Sequence, residues 1–192
     1  MTPTPPDARL HTRGPGASLH VKGPALRPAA LGIALRPAND ADAAFLQRLY
    51  GETRSDELAF TPWTDAAKAA FLASQFALQH RHFTTAGVTT DFWIVEIGGE
   101  AAGRLYVRRG ASLWRLVEIS LRSAAQGRGA GSTLIDWLQG CARDDGASGI
   151  DLHVLVTNPR AASLYARHGF VPVAGDGHDT PDTHRRMIWR IS

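Results

Sequence analysis

From Leu116 to Leu121 the chain alternates like a strand, and Leu134, Ile135, Leu138, Cys141 and Ala142 recur with the spacing of a helix face. Between them runs Arg-Ser-Ala-Ala-Gln-Gly-Arg-Gly-Ala-Gly, residues 122–131, with glycine at 127, 129 and 131. A strand that enters a helix through alternate glycines constrains the fold more than any other feature of this sequence. Glycine lets the backbone approach a ligand closely and turn its N–H groups one way. A helix N-terminus adds unsatisfied N–H donors and a field that favours anions. The junction is therefore either a cradle for a pyrophosphate-like anion or a glycine-rich connector. It is not a Walker A loop, because no Lys-Ser/Thr pair follows, and its glycine spacing is not that of a dinucleotide fingerprint.

The flanking segments fix the architecture. Ile33 and Leu35 alternate with polar neighbours until Pro37, a short first strand. Asn39 or Asp40 is placed to cap a helix that presents Phe45, Leu46, Leu49 and Tyr50. A second helix starts at Thr61-Pro62 or Thr64-Asp65, carries Ala69, Ala70, Phe71, Ala73, Phe76 and Ala77, and runs to about His80. Residues 91–97, 101–108 and 113–121 read as an antiparallel meander whose first turn is Gly98-Gly99-Glu100. After the glycine junction come a strand at 150–156, a helix at 159–168 with Pro159 in its first turn, and two last strands at 170–174 and 185–191. The expected fold is α+β: a mixed, mostly antiparallel sheet of about seven strands with helices on both faces.

Residues 1–31 hold six of the eleven prolines and no apolar period, so they read as a disordered, basic tail ahead of one domain at 32–192. Arg9, Arg13, Lys22 and Arg27 against Asp7 account for the whole net charge of +3. A neutral domain behind a basic tail argues against a nucleic-acid partner. The single cysteine, Cys141, excludes an intramolecular disulfide and sits on an apolar helix face. No apolar run is long enough to span a membrane and no secretory h-region opens the chain, so a cytoplasmic location is expected.

A second landmark follows the glycine junction: Leu152-His153-Val154 on a strand, then Asn158-Pro159-Arg160-Ala161, Leu164-Tyr165 and Gly169-Phe170. Together with Gln126, Gly129 and Gly131, in the order Gln-x-x-Gly-x-Gly, these residues resemble the signature of the GNAT N-acetyltransferase superfamily. The likeness spans about residues 32 to 192. It implies transfer of an acetyl group from acetyl-CoA to a primary amine by direct attack in a ternary complex, with no metal. The acceptor is a small-molecule amine or a peptide or protein amine, and a homodimer is compatible with the sequence. A non-catalytic acyl-CoA sensor on the same scaffold is the alternative.

The resemblance also assigns roles. It implies that the backbone of Gln126, Gly127, Arg128, Gly129, Ala130 and Gly131 holds the pyrophosphate, and that the backbone of Ile119 and Leu121 pairs with the pantetheine arm. Asn158 matches a position that touches the cofactor, and a cleft is expected near His153–Val156. Tyr165 matches the tyrosine that protonates the leaving thiolate, or else is a helix tyrosine packed on Phe170. An alkyl amine of pKa ~10 costs about 4 kcal/mol to neutralise at pH 7, so a proton acceptor is useful. Glu118, on the strand entering the junction, is either that acceptor or an ordinary polar partner in the sheet, and His153 is the second candidate. Thr53, Arg54 and Glu57, between the first two helices, and the loop with Asp176, His178, Asp179, Asp182 and His184 are expected to border the acceptor or to be solvated. His80 and His82 read as surface histidines.

Overall fold

A computed structural model of the protein describes residues 32–85, 90–173 and 183–191. The expected tail, the side chains of His80 and His82, and the loop with Asp176, His178, Asp179 and Asp182 lie outside the described residues. The described chain divides into two compact units.

One unit is a helix pair, α1 (Ala43–Arg54) and α2 (Asp65–Thr85). Asn39 and Asp42 cap the entry to α1 reciprocally: Ala41 N–H donates to Asn39 Oδ1 and Asn39 N–H to Asp42 Oδ2, each at 2.9 Å. Leu46, Leu49 and Tyr50 are buried as expected. α2 runs past His80 to Thr85, and Phe71 is exposed, edge-on to Trp63 at 5.3 Å.

The other unit holds the seven-stranded sheet. Its strands are β1 (Ile33–Pro37), β2 (Thr90–Ile97), β3 (Glu100–Arg108), β4 (Leu113–Leu121), β5 (Gly149–Leu155), β6 (Val171–Pro172) and β7 (His184–Arg190). They lie in the order β1-β2-β3-β4-β5-β7-β6, antiparallel except for β4 with β5. Of the strand expected at 170–174, β6 holds Val171 and Pro172; Phe170 turns inward to pack 5.8 Å from the Tyr165 ring, and Ala174 lies outside the described residues. Helices α3 (Ala130–Asp144) and α4 (Pro159–Arg167) join one core with Leu105, Val107, Trp114, Leu116, Ile150, Leu152, Met187 and Trp189.

Two local features shape this sheet. Tyr106 pairs with Glu118 and Val107 with Leu116, so Val117 is an extra residue, a β-bulge. The extra residue puts Leu116 and Ile119, three apart, on the same core face. It also bends β4 where its pairing with β5 ends: the parallel ladder runs from Leu113–Gly149 to Leu116–Leu152 and no further. On the shared side of that ladder, Asp151 is 2% exposed and bound by two guanidinium groups. Arg115 donates through Nε to Oδ1 (2.9 Å) and through Nη2 to Oδ2 (2.7 Å). Arg186 donates to Oδ2 through Nε (3.1 Å) and Nη2 (3.0 Å). One carboxylate thus ties β4, β5 and β7 together.

Two outcomes are expected. Deleting Val117 should straighten β4 and extend its pairing with β5, so that the amides of Ile119 and Leu121 exchange more slowly; unchanged exchange would mean the bulge does not part the strands. The second concerns pH. Burial alone raises the Asp151 pKa, but the hydrogen bonds and charges of Arg115 and Arg186 outweigh it and hold the carboxyl below its usual range. A carboxyl with a lower pKa folded than unfolded adds stability above its unfolded pKa of about 4, and loses it as pH falls through the folded value. The melting temperature should therefore fall on acidification below about pH 4. Asp151→Asn should flatten that fall and cost about 2 kcal/mol or more at neutral pH. An equally steep fall in the variant would assign the acid sensitivity elsewhere.

Candidate active site

The helices of this chain begin in two ways. α4 is capped by Asn158, whose Oδ1 accepts the Ala161 N–H at 3.0 Å, and at α2 Thr64 Oγ1 accepts from Ala67 N–H at 3.2 Å. α3 begins on Gly129 with no side-chain cap. Gly127 and Gly129 have φ of 75° and 88°, which favour glycine and turn successive N–H groups outward. Among the described residues none accepts from the backbone N–H groups of Gly127 to Gly131. These donors sit on an exposed loop at the positive end of a fifteen-residue helix, so the cradle fits a phosphate-bearing ligand. Ala130 is buried and can offer only its backbone. Gly131 has a packing reason as well: a Cβ there would sit 3.1 Å from Leu164 Cδ2, so its absence lets α3 and α4 approach.

The loop is held from both sides. Gln126 Nε2 donates to Leu121 O at 2.9 Å, and Arg160 Nη1 donates to Gln126 Oε1 at 3.1 Å. Arg122 N–H donates to Ala102 O at 2.8 Å, toward β3. By strand alternation the backbone of Ile119 and Leu121 therefore faces the other way, to the edge where β4 has left β5. The sequence-derived cofactor residues are thus contiguous: a strand edge at 119 and 121, where Gln126 takes only the Leu121 carbonyl, a cradle at 127–131, and Asn158 at the start of α4. Asn158 spends its oxygen on the cap and is exposed at the rest of its amide.

The face of the sheet opposite α3 and α4 is polar. Glu118 Oε1 accepts from Arg104 Nη2 at 3.1 Å and from Ser120 Oγ. Arg104 is 2% exposed and lies 5.2 Å from the Tyr106 ring centroid. Glu118 is a polar partner in the sheet through Oε1, and its Oε2 is unpartnered among the described residues. Tyr165 is buried, and burial, then the Glu118 charge, push its phenol well above the usual value. Although Tyr165 packs on Phe170, its hydroxyl has no hydrogen-bond partner among the described residues. The electrostatic coupling of Tyr165 on α4 to Glu118 on the polar face means that the two sense each other across the sheet. Burial, then Arg115 and Arg186, lower the His153 imidazole, which keeps it neutral near pH 7.

Other candidates are drawn elsewhere. Thr53 and Arg54 lie in the last turn of α1, not in a loop. Thr53 Oγ1 donates to Leu49 O and Tyr50 O, and Arg54 stacks over the Tyr50 ring at 4.6 Å and contacts Glu57. His184 opens β7 and shares a hydrogen bond with Thr183. Burial, then Asp144, push the Cys141 thiol up to about 12, so it is core and not a nucleophile. Arg104 is not among the residues singled out from sequence, and Arg160 stands there only within the Asn158–Ala161 landmark, with no role of its own. The signal for Arg104 was a charge in the middle of an apolar strand; the contact of Arg160 with Gln126 spans 34 residues, beyond any local pattern.

Among the described residues no helix is long and apolar enough to cross a membrane. No curated protein matches the sequence significantly. Solved structures do match its fold. The PaiA N-acetyltransferase of Thermoplasma acidophilum, solved with coenzyme A, is 16% identical, with a TM-score of 0.63 over 83% of this chain and 99% of its own. An acetyltransferase of Thermus thermophilus is 20% identical, with a TM-score of 0.62 over 83% of this chain and 97% of its own. The GNAT domain of S. lividans PAT is 20% identical, with a TM-score of 0.58 over 84% and 94%. The model of the Acetyltransferase (GNAT) family matches residues 40–170, which include the bulged strand, the uncapped glycine junction and Tyr165, and the chain belongs to that family of acyltransferases.

Proposed function

We propose that this protein passes an acetyl group from acetyl-CoA to a primary amine by direct attack, both substrates being bound together. The observation that carries the reading is the parting of β4 from β5 beyond Leu116, with the uncapped N–H groups of residues 127–131 beside the opening. Those N–H groups would hold the pyrophosphate, and the outward backbone of Ile119 and Leu121 would hold the pantetheine amides. Gln126, Arg128 and the free amide of Asn158 flank that path. Bound there, acetyl-CoA supplies an activated thioester carbonyl.

The protein's own groups manage the protons. Tyr165 keeps its proton through the neutral range, so its hydroxyl serves as donor to the departing sulfur. A thiolate forming in the same buried cleft is itself destabilised by desolvation, which brings the two proton affinities closer. Arg104 and Ser120 fix one oxygen of Glu118 and leave Oε2 to accept the amine proton as the C–N bond forms and the nitrogen turns acidic. His153, held neutral, is the second acceptor.

An amine panel with acetyl-CoA, read by released thiol, tests the activity; coenzyme A binding with no amine turned over would instead favour the sensor role. Gly129→Asp should leave a folded protein whose coenzyme A affinity by calorimetry falls by more than about tenfold (1.4 kcal/mol). Gly129→Asn, which tolerates a positive φ without the charge, should lose less. Wild-type affinity in a folded aspartate variant would remove the loop from the site. Tyr165→Phe should lower kcat by about 10²-fold or more with coenzyme A affinity unchanged, and Glu118→Gln should lower the rate chiefly below the amine pKa, with recovery at higher pH. Normal turnover by Tyr165→Phe would assign the acid role elsewhere, and a wild-type pH profile in Glu118→Gln would make that carboxylate structural.

A further inference from the structure

Among the described residues, the polar face of the sheet carries more positive charge than its carboxylates balance. Arg115, on β4, stands directly opposite Arg108 on β3, so both side chains leave the same face. Like charges directly opposite each other on a sheet are destabilising. Only Arg115 of the two is compensated, by Asp151. Arg108 makes no ion pair with any described residue, and its Nε is buried without a hydrogen-bond partner. Arg186, opposite His153, leans onto the same Asp151 and leaves part of its guanidinium in solvent, the side chain being 27% exposed. Two guanidinium groups thus share one buried carboxylate, and a third, Arg108, stands beside Arg115 on the neighbouring strand with no ion pair among the described residues. The Arg104–Glu118 pair next along the face is neutral in sum. A buried, unsatisfied guanidinium N–H beside two half-exposed arginines asks for an acceptor of negative charge.

We propose that Arg108, Arg115 and Arg186 form a carboxylate subsite, so that the acceptor is an amine bearing a carboxylate, an amino acid or a close analogue. This rests on reading the β4–β5 opening as the transfer site. Arg115 and Glu118 are three residues apart on β4, about 10 Å or less between their Cα atoms. An acceptor anchored by its carboxylate at the arginines would then present its amine toward Glu118 Oε2. Charge decides against a polycationic amine, which would meet Arg108, a cation with no ion pair among the described residues.

The test uses matched pairs with and without the carboxylate: phenylalanine against phenethylamine, leucine against isoamylamine, lysine against cadaverine. Binding of each is measured by calorimetry to the full chain saturated with coenzyme A, a readout that needs no turnover, and kcat/KM is measured with acetyl-CoA. In at least one pair the carboxylated member should bind tenfold or more tightly and be acetylated with a correspondingly higher kcat/KM. Arg108→Gln should abolish that preference through KM, with kcat kept and the melting temperature unchanged or raised, since no partner of Arg108 is lost. Arg186→Gln should weaken the preference as well, and Arg186→Lys should restore part of it. Carboxylate-selective binding that is lost in Arg108→Gln supports the subsite even where no acetyl group is transferred, in which case the transfer reading alone fails. Equal binding of both members of every pair, no binding of any carboxylated member, or a preference untouched in Arg108→Gln overturns it, even where amines are acetylated.

Discussion

The clamp of Arg115 and Arg186 on Asp151 sets where this sheet is closed and where it is open. Carboxylate and guanidinium groups have their strongest contacts when charged, planar and paired through two donors, and here one buried carboxylate receives four such contacts from two strands. The contacts lie near the end of the short stretch, Leu113–Leu116, where β4 runs beside β5. A parallel pair is slightly weaker per residue than an antiparallel one, and the clamp reinforces this single parallel junction. Two residues after Arg115 the Val117 bulge turns β4 away, and the ladder has ended. The opening is thus the consequence of a strong tie followed at once by an extra residue.

What the opening exposes is backbone. A strand edge without a neighbour and a helix start without a cap are both costly when buried and useful when a ligand can satisfy them. This chain places the two in succession, residues 119 and 121 and then 127–131, and makes the second possible with glycines at positive φ. The side chains that border this backbone brace it: Gln126 takes the Leu121 carbonyl, Arg160 takes Gln126, and Asn158 caps α4. Recognition by backbone and support by side chain explain why the glycine spacing is constrained while the residues between are ordinary.

Much of this was legible in the sequence because it is local. Hairpins, helix faces, the glycine junction and the Pro159 start each declare themselves within a dozen residues, and the strand order of the meander follows from short turns. The bulge was not legible: Val117 is an unremarkable valine in an apolar run, and only the register against Tyr106 and Val107 marks it as extra. The roles of Arg104 and Asp151 were hidden for the same reason, since their partners are 14 to 36 residues away and are set by strand pairing. Thr53 and Arg54 went the other way. Their residue types suggested a loop, but α1 continues through them, with the Thr53 hydroxyl satisfied on the preceding turn.

The bulge also bears on the proton roles proposed for Glu118 and Tyr165, which stand on opposite sides of the sheet. In an unbroken sheet a residue on the polar face and one in the helix-side core are separated by backbone on every side. Where β4 and β5 part, that wall is missing, and the Glu118 charge reaches the Tyr165 phenol strongly enough to help keep it protonated. In the proposed reaction this effect has a direction: a carboxylate that took up the amine proton would lose its charge, and the phenol it had held up would become the better acid at the step where the sulfur needs a proton.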